Sequence, residues 1–222
     1  MKLFLTVGLV ALAMLAGRAM AADEAAAKPV VDKEKKTVTI PAKIAPRKIN
    51  DPRYTEIYPI EAIATAPFPK GQKAHETVVT VDVAPSEVHK ALESLGLKPG
   101  KPAEGEEGHA EGPELKVSLV LPSGKTIPME KSLIDKKTGK AMGTVKWIFT
   151  GSAMRQPDPN KPDKVYGADI ASNLIMFFPM TPDSVIQTAL TVKESNLIKL
   201  ETNKTVLPPE GTEVKLVIKP AK

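Results

Sequence analysis

Apolar side chains recur at every second position along most of this chain, a period that suits half-buried β-strands and excludes a helical bundle. Val38, Ile40, Ala42 and Ile44 fall on one face of their segment, with Thr37, Thr39 and Lys43 on the other. Leu115, Val117, Leu119 and Leu121 repeat the pattern, as do Val145, Trp147 and Phe149, and Thr212, Val214, Leu216 and Ile218. Turn-forming residues separate these runs. With 21 prolines and 14 glycines, such breaks are frequent, so the strands are short and mostly antiparallel.

The polar turn Asp32 to Lys36 makes residues 30–44 a hairpin, and Pro41 places its second strand at an edge or a bulge. Residues 57–66 and 75–83 read as two strands of another antiparallel hairpin joined by the turn PFPKGQK at 67–73. Residues 85–95 form the clearest helix. Pro85 suits its first turn, Val88, Ala91, Leu92 and Leu95 line one face, and Gly96 ends it. A second short helix is expected over 183–190, started by Asp183 as a cap. Leu174 to Phe178 is unbroken apolar sequence and reads as a strand covered on both faces. Long loops are expected near 98–113 and 153–164. The sum is about nine or ten strands in a β-rich α+β fold, a mostly antiparallel sheet or sandwich.

The 222 residues contain no cysteine, which removes disulfides, thiolate metal sites, iron–sulfur clusters and cysteine nucleophiles together. Only nine aromatics, one Trp, three Tyr and five Phe, argue against a stacking platform for bases. Met1-Lys2 followed by the apolar run Leu3 to Gly17 and by Ala19-Met20-Ala21 has the form of a secretory leader. Cleavage near Ala21 would leave a short tail at 22–29 and send the protein to a periplasm or outside the cell. Losing Lys2 and Arg18 with the leader lowers the formal charge from +5 to +3. The excess is local: residues 28–53 carry eight Lys or Arg against Asp32, Glu34 and Asp51. Such a segment suits weak contact with an anionic membrane surface, or simply solvated lysines guarding a strand edge. Nucleic acid is not an expected partner.

The landmarks form a series: VVDKEKKTVTIPAKI at 30–44, YPIEAIAT at 58–65, HETVVT at 75–80, PSEVHKALESLGLKPG at 85–100, WIFTGS at 147–152 and PPEGTEVKLVIKP at 208–220. In this order they resemble the YdjY-like domain family of exported bacterial proteins, over one domain at about 30–220. The resemblance implies a fold and an exported setting but supplies no reaction or ligand. A ferredoxin-like role, loosely attached to some members, is excluded by the missing cysteines.

Chemistry-bearing residues are few. His75 and His89 lie in two of these motifs, with Glu93 one helical turn beyond His89. His75, His89, Glu93 and Glu61 are the candidate ligands of a divalent metal, since imidazole and carboxylate together suit zinc, copper or iron. Strand geometry opposes pairing His75 with Glu76, because neighbours on a strand face opposite ways. Lengths also oppose a shared site for the two histidines. His89 is about 6 Å along its helix, whereas His75 is about 27 Å back along its strand. His109, among glutamates and glycines, reads as solvated loop. Ser152 follows Gly151 without a G-x-S-x-G elbow, and no phosphate loop or H-E-x-x-H motif occurs. The leading expectation is therefore a non-enzymatic, soluble periplasmic domain that needs no cofactor and binds a protein or small ligand. A metal-handling protein using His75 and His89 comes second, and a hydrolase of unrecognised type third.

Overall fold

The computed structural model describes residues 27–179 and 181–222. The expected leader at 1–21 and most of the tail lie outside them. Strands β1 (Val30–Asp32) and β2 (Thr37–Ile44) form the expected hairpin, followed by β3 (Ala62–Thr65), β4 (Val79–Thr80) and helix α1 (Pro85–Ser94). Next come β5 (Glu114–Val120), β6 (Thr126–Pro128), β7 (Leu133–Asp135), β8 (Trp147–Phe149), β9 (Met154–Arg155) and β10 (Val165–Tyr166). The chain then forms α2 (Gly167–Ala171), β11 (Asn173–Met176), β12 (Ile186–Thr188), α3 (Val192–Ser195), β13 (Leu200–Thr202) and β14 (Glu213–Pro220).

Eight of these strands close on themselves in the order β2, β14, β5, β8, β12, β11, β3, β4 and back to β2. The β-rich, mainly antiparallel fold is as expected, but it is a barrel and not simply a sandwich. Two contacts are parallel, β11 with β12 and β3 with β4. Closure brings the alternating apolar faces together. Ile40 pairs with Leu216, Leu216 with Leu119, and Leu119 with Ile127, a row crossing four strands. Ile40, Leu216 and Leu119 are fully buried. An eight-stranded barrel has an interior about wide enough for side chains to fill. Here Val38, Ile40, Leu119, Trp147, Phe149 and Leu174 belong to that core.

Pro41 fits because of a change of partner. β2 pairs with β1 through Thr37–Thr39 and with β4 through Lys43–Ile44, leaving a gap between them on the same side. The Ile44 amide faces β14, donating to Thr212 at 2.9 Å. Backbone groups alternate sides in an antiparallel ladder, so Pro41 turns its nitrogen to the gap, where no donor is required.

Helix α1 agrees with expectation: Pro85 opens it, Val88, Ala91 and Leu92 are buried, and Gly96 leaves it at a φ of 86°. Burying Val88 and Leu92 contributes about 1.5–3 kcal/mol each. Two expectations fail. Residues 183–190 are not helical; Ile186–Thr188 is β12, inserted between β8 and β11. Asp183 caps nothing there and instead holds Arg155, at 2.7 and 3.1 Å. The true N-cap is Thr191, whose side chain and Glu194 form a capping box at the start of α3. The second failure is the 57–83 hairpin. β3 and β4 run parallel, and residues 72–78 are turns and bends, so His75 is not on a strand. The consecutive amides of Glu61 and Ala62 both donate to the Glu76 carbonyl, at 2.9 and 3.0 Å, a convergence that a strand ladder does not make.

Candidate functional site

The turn before β4 gathers the first polar cluster. Lys73 hydrogen-bonds both Glu61 and Glu76, the latter at 2.9 Å. Burial lowers the Lys73 pKa, but the two carboxylates outweigh it and leave the ammonium above its ordinary value. His75 is 1% exposed, its ring centroid 4.3 Å from that of Tyr54 and 5.3 Å from that of Tyr58. Neither ring nitrogen has a hydrogen-bond partner. Nε2 lies 3.3 Å from Glu76 Oε1, outside hydrogen-bond alignment. The expectation that His75 and Glu76 diverge is thus corrected, because a turn does not alternate its side chains as a strand does. Burial pushes the imidazole pKa down; Glu76 opposes this, while Arg47 and Lys73 reinforce it.

Arg47, three residues after β2, fastens this cluster to β13. Its side chain is 5% exposed, and Nε donates to Glu201 Oε1 at 3.0 Å. Its terminal nitrogens donate to the carbonyls of His75 and Tyr58. Burial raises the Glu201 pKa, but the Arg47 side chain and the Thr202 amide more than reverse this and hold it below the ordinary carboxylate value.

The second cluster surrounds His89. Its Nδ1 is 2.6 Å from the Tyr166 hydroxyl, which accepts the Ser152 amide at 3.0 Å. With that lone pair occupied, the phenolic proton is well placed to go to Nδ1. The imidazole then carries its own proton on Nε2, 3.5 Å from Glu93 Oε1. Burial raises the Tyr166 pKa and keeps the phenol protonated. Gly151 permits the approach: its φ is 66°, and a Cβ there would lie 2.9 Å from Pro99 Cβ and 3.3 Å from His89 Cε1. Ser152 Oγ accepts the Ala168 amide at 2.9 Å and lies 3.3 Å from the carbonyls of Ala153 and Pro182. The Ser152 hydroxyl therefore bonds backbone groups, and His89 bonds Tyr166.

The four candidate metal residues divide between these places. Glu61 is joined through Lys73 to Glu76, the neighbour of His75, whereas Glu93 joins His89, and the two imidazoles have different neighbours. Among the described residues, no three His, Asp or Glu side chains are grouped to hold a metal ion. His109 is exposed, with Nδ1 3.3 Å from the Ala189 carbonyl. The reading of residue types missed Arg47, Tyr54, Tyr58, Lys73 and Tyr166. Lys73, two residues before His75, offered the one local signal.

A sequence model of the YdjY domain matches residues 30–219. The chain belongs to the YdjY domain family. No curated protein and no solved structure matches it. Within this YdjY domain, IEAIAT and HETVVT supply Glu61, His75 and Glu76 to the first cluster. PSEVHK and WIFTGS supply His89 and Ser152 to the second.

A third feature lies outside the barrel wall. An open trough of about 1610 Å³ runs over the outward faces of β2, β14 and β5, lined by Thr39, Pro41, Lys43, Val120, Lys215 and Val217 among others. Some of its charges pair with each other, Lys35 with Asp32 at 3.2 Å and Lys43 with Glu213 at 4.0 Å.

Proposed function

We propose that this YdjY domain is a non-enzymatic, soluble binding module of the periplasm, exported after cleavage near Ala21, and that it takes an extended segment of a partner protein in the outer trough. The observation that carries this reading is the contrast between a barrel interior packed with side chains and an open trough on the outer sheet. A carrier of the lipocalin kind needs a hollow interior, whereas a docking domain needs an accessible face. Threonines, prolines, valines and mutually paired charges suit a segment of mixed polarity with little net charge. They offer no single-sign field for a nucleic acid or an anionic lipid. The basic segment 28–53 is also partly spent internally: Arg47 is buried on Glu201, and hydrogen bonds from Arg53 draw the Asp51 pKa down to about 2. The separate engagements of Ser152 and His89 weigh against the hydrolase reading.

Photo-crosslinking side chains placed at Thr39 and Val217 test the proposal in cells. Discrete adducts are expected from these positions and none from Ile170 or Leu197, exposed apolar residues outside the trough. Equal adducts from all four positions, or none from the trough, would overturn it.

A further inference from the structure

The single-sign field absent from the trough occurs at the tip of the β7–β13 ribbon, a two-stranded sheet separate from the barrel. After β7 the chain doubles back in a tight turn. The Gly139 amide donates to the Asp135 carbonyl at 2.8 Å, and the Asp135 amide to the Lys140 carbonyl at 3.0 Å. Gly139 takes the left-handed backbone this requires, at a φ of 67°. The Lys136 amide donates to the Lys199 carbonyl at 2.7 Å, and the Lys137 ammonium donates to the Leu197 carbonyl. Four lysines from two distant stretches of chain, Lys136, Lys137, Lys140 and Lys199, therefore meet at one tip. All four are exposed, and among the described residues none is in an ion pair. The acids nearest in sequence serve other groups. Asp135 accepts the Lys137 amide at 3.0 Å and the Thr138 hydroxyl at 3.1 Å, Glu194 belongs to the capping box of α3, and Glu201 holds Arg47.

We propose that this tip is a membrane-contact face, and that the domain rests on an anionic lipid surface through Lys136, Lys137, Lys140 and Lys199. Clustered cations of one sign are drawn to such a surface. The tip uses only lysines, compact point charges on flexible stems, and none of the rigid guanidinium forks that read a fixed arrangement of carboxylates. A fluid layer of headgroups suits that adaptability better than the set register of an acidic protein. Leu197, 68% exposed beside Lys137, adds an apolar side chain of the kind that enters a headgroup boundary. Lipid contact there yields no discrete protein adduct. None of the four lysines lines the trough, so the two contacts draw on different residues.

The test is co-sedimentation of the untagged mature protein with vesicles of equal parts phosphatidylglycerol and phosphatidylcholine, against vesicles of phosphatidylcholine alone. Binding is expected only to the anionic vesicles, and it should weaken at least about tenfold between about 0.02 M and about 0.15 M salt. Neutralising Lys136, Lys140 or Lys199 to Gln is expected to weaken binding about fivefold each, and the triple variant about a hundredfold. Lys137 is left in place because its ammonium also holds the Leu197 carbonyl. Reversing Lys35, Lys36 and Lys48 to Glu removes more charge, yet is expected to leave binding unchanged. Circular dichroism of each variant separates lost binding from lost fold. Absence of binding to the anionic vesicles at low salt would overturn the proposal, and capture of soluble polyglutamate in its place would assign the tip to an acidic protein. Wild-type binding in the Lys136, Lys140 and Lys199 triple variant would overturn it too. So would an equal loss on reversing Lys35, Lys36 and Lys48, which would leave only attraction to net charge.

Discussion

Arg47 offers the sharpest check on how the loop that follows β2 is tied to β13 and to the turn before β4. Replacing it by Met keeps most of the stem and removes every donor. The bond to Glu201 is charge-assisted, on the order of 1.5–3 kcal/mol. It is discounted here because the Glu201 side chain is 24% exposed and keeps the Thr202 amide at 2.9 Å. The His75 carbonyl loses the donation of Arg47 in a buried setting, for about 1–3 kcal/mol, whereas that of Tyr58, on an exposed loop, regains water. Together these give a loss of about 3–4 kcal/mol. In a domain of this length each kcal/mol moves the melting temperature about 2–4 °C, so a drop of roughly 6–16 °C is expected in thermal melts followed by circular dichroism. Arg47→Lys should recover only part of it, since one ammonium cannot serve three acceptors with the reach of a guanidinium. Hydrogen exchange over residues 50–59 should quicken in both variants. A melting temperature for Arg47→Met within about 2 °C of wild type would refute the reasoning.

The same pair sets a pH dependence. The folded-state pKa of Glu201 lies below its ordinary 4.5. Its contribution is therefore present above about pH 4.5 and disappears as pH falls through the lower folded value. The stability gap between wild type and Glu201→Gln should be full at neutral pH and close on acidification.

Phe177→Ala should cost about 3–5 kcal/mol, because the ring is fully buried and meets Trp147 edge-on at 6.1 Å; a melting temperature lowered by less than about 2 °C would show the site is not core. Gly151→Ala should cost about 1–3 kcal/mol for its left-handed backbone and displace the ring of His89, read as changed His89 and Tyr166 resonances in NMR spectra; unchanged spectra would contradict the contact with Gly151. Reversing Lys35, Lys36 and Lys48 to Glu should leave sedimentation with acidic vesicles unchanged, and a clear salt-sensitive loss of binding would restore the membrane reading.

The strands that could be read from sequence were those with one wet and one dry face. β2, β5 and β14 alternate along their whole length, so period two located them within a residue or two. β12 was hidden because Ile186, Gln187 and Thr188 are all buried between β8 and β11, leaving no alternation to read. The helix expected in its place rested on Asp183, a residue that prefers caps but serves an ion pair here. The capping box of α3 was legible as Thr191-x-x-Glu194, yet its four-residue helix carries too little apolar periodicity to stand out. For the candidate sites, residue type pointed to His75 and His89 but not to their companions. Tyr166 acquires meaning only through a contact across 77 positions of sequence, and Lys73, beyond its local bond to Glu76, through one across 12. Arg47 looked like one more charge in a basic segment until burial and Glu201, 154 residues away, distinguished it.

The place of the first cluster follows from the one strand pairing that sequence reversed. Two adjacent strands of opposite direction need only a tight turn between them, whereas parallel neighbours require the chain to travel back before the second begins. β3 ends at Thr65 and β4 starts at Val79, in register with Ala64 and Thr65, so the link between them must return along the barrel wall. It does so as turns, whose side chains are freed from strand alternation. That freedom lets Lys73, His75 and Glu76 converge on Glu61, just before β3, with the Glu76 carbonyl satisfying the amides of Glu61 and Ala62. An antiparallel hairpin would have set His75 and Glu76 on opposite faces and spread the charges along two edges. The parallel closure of the barrel and the polar cluster are thus one feature, and a variant that loosens the link should disturb both.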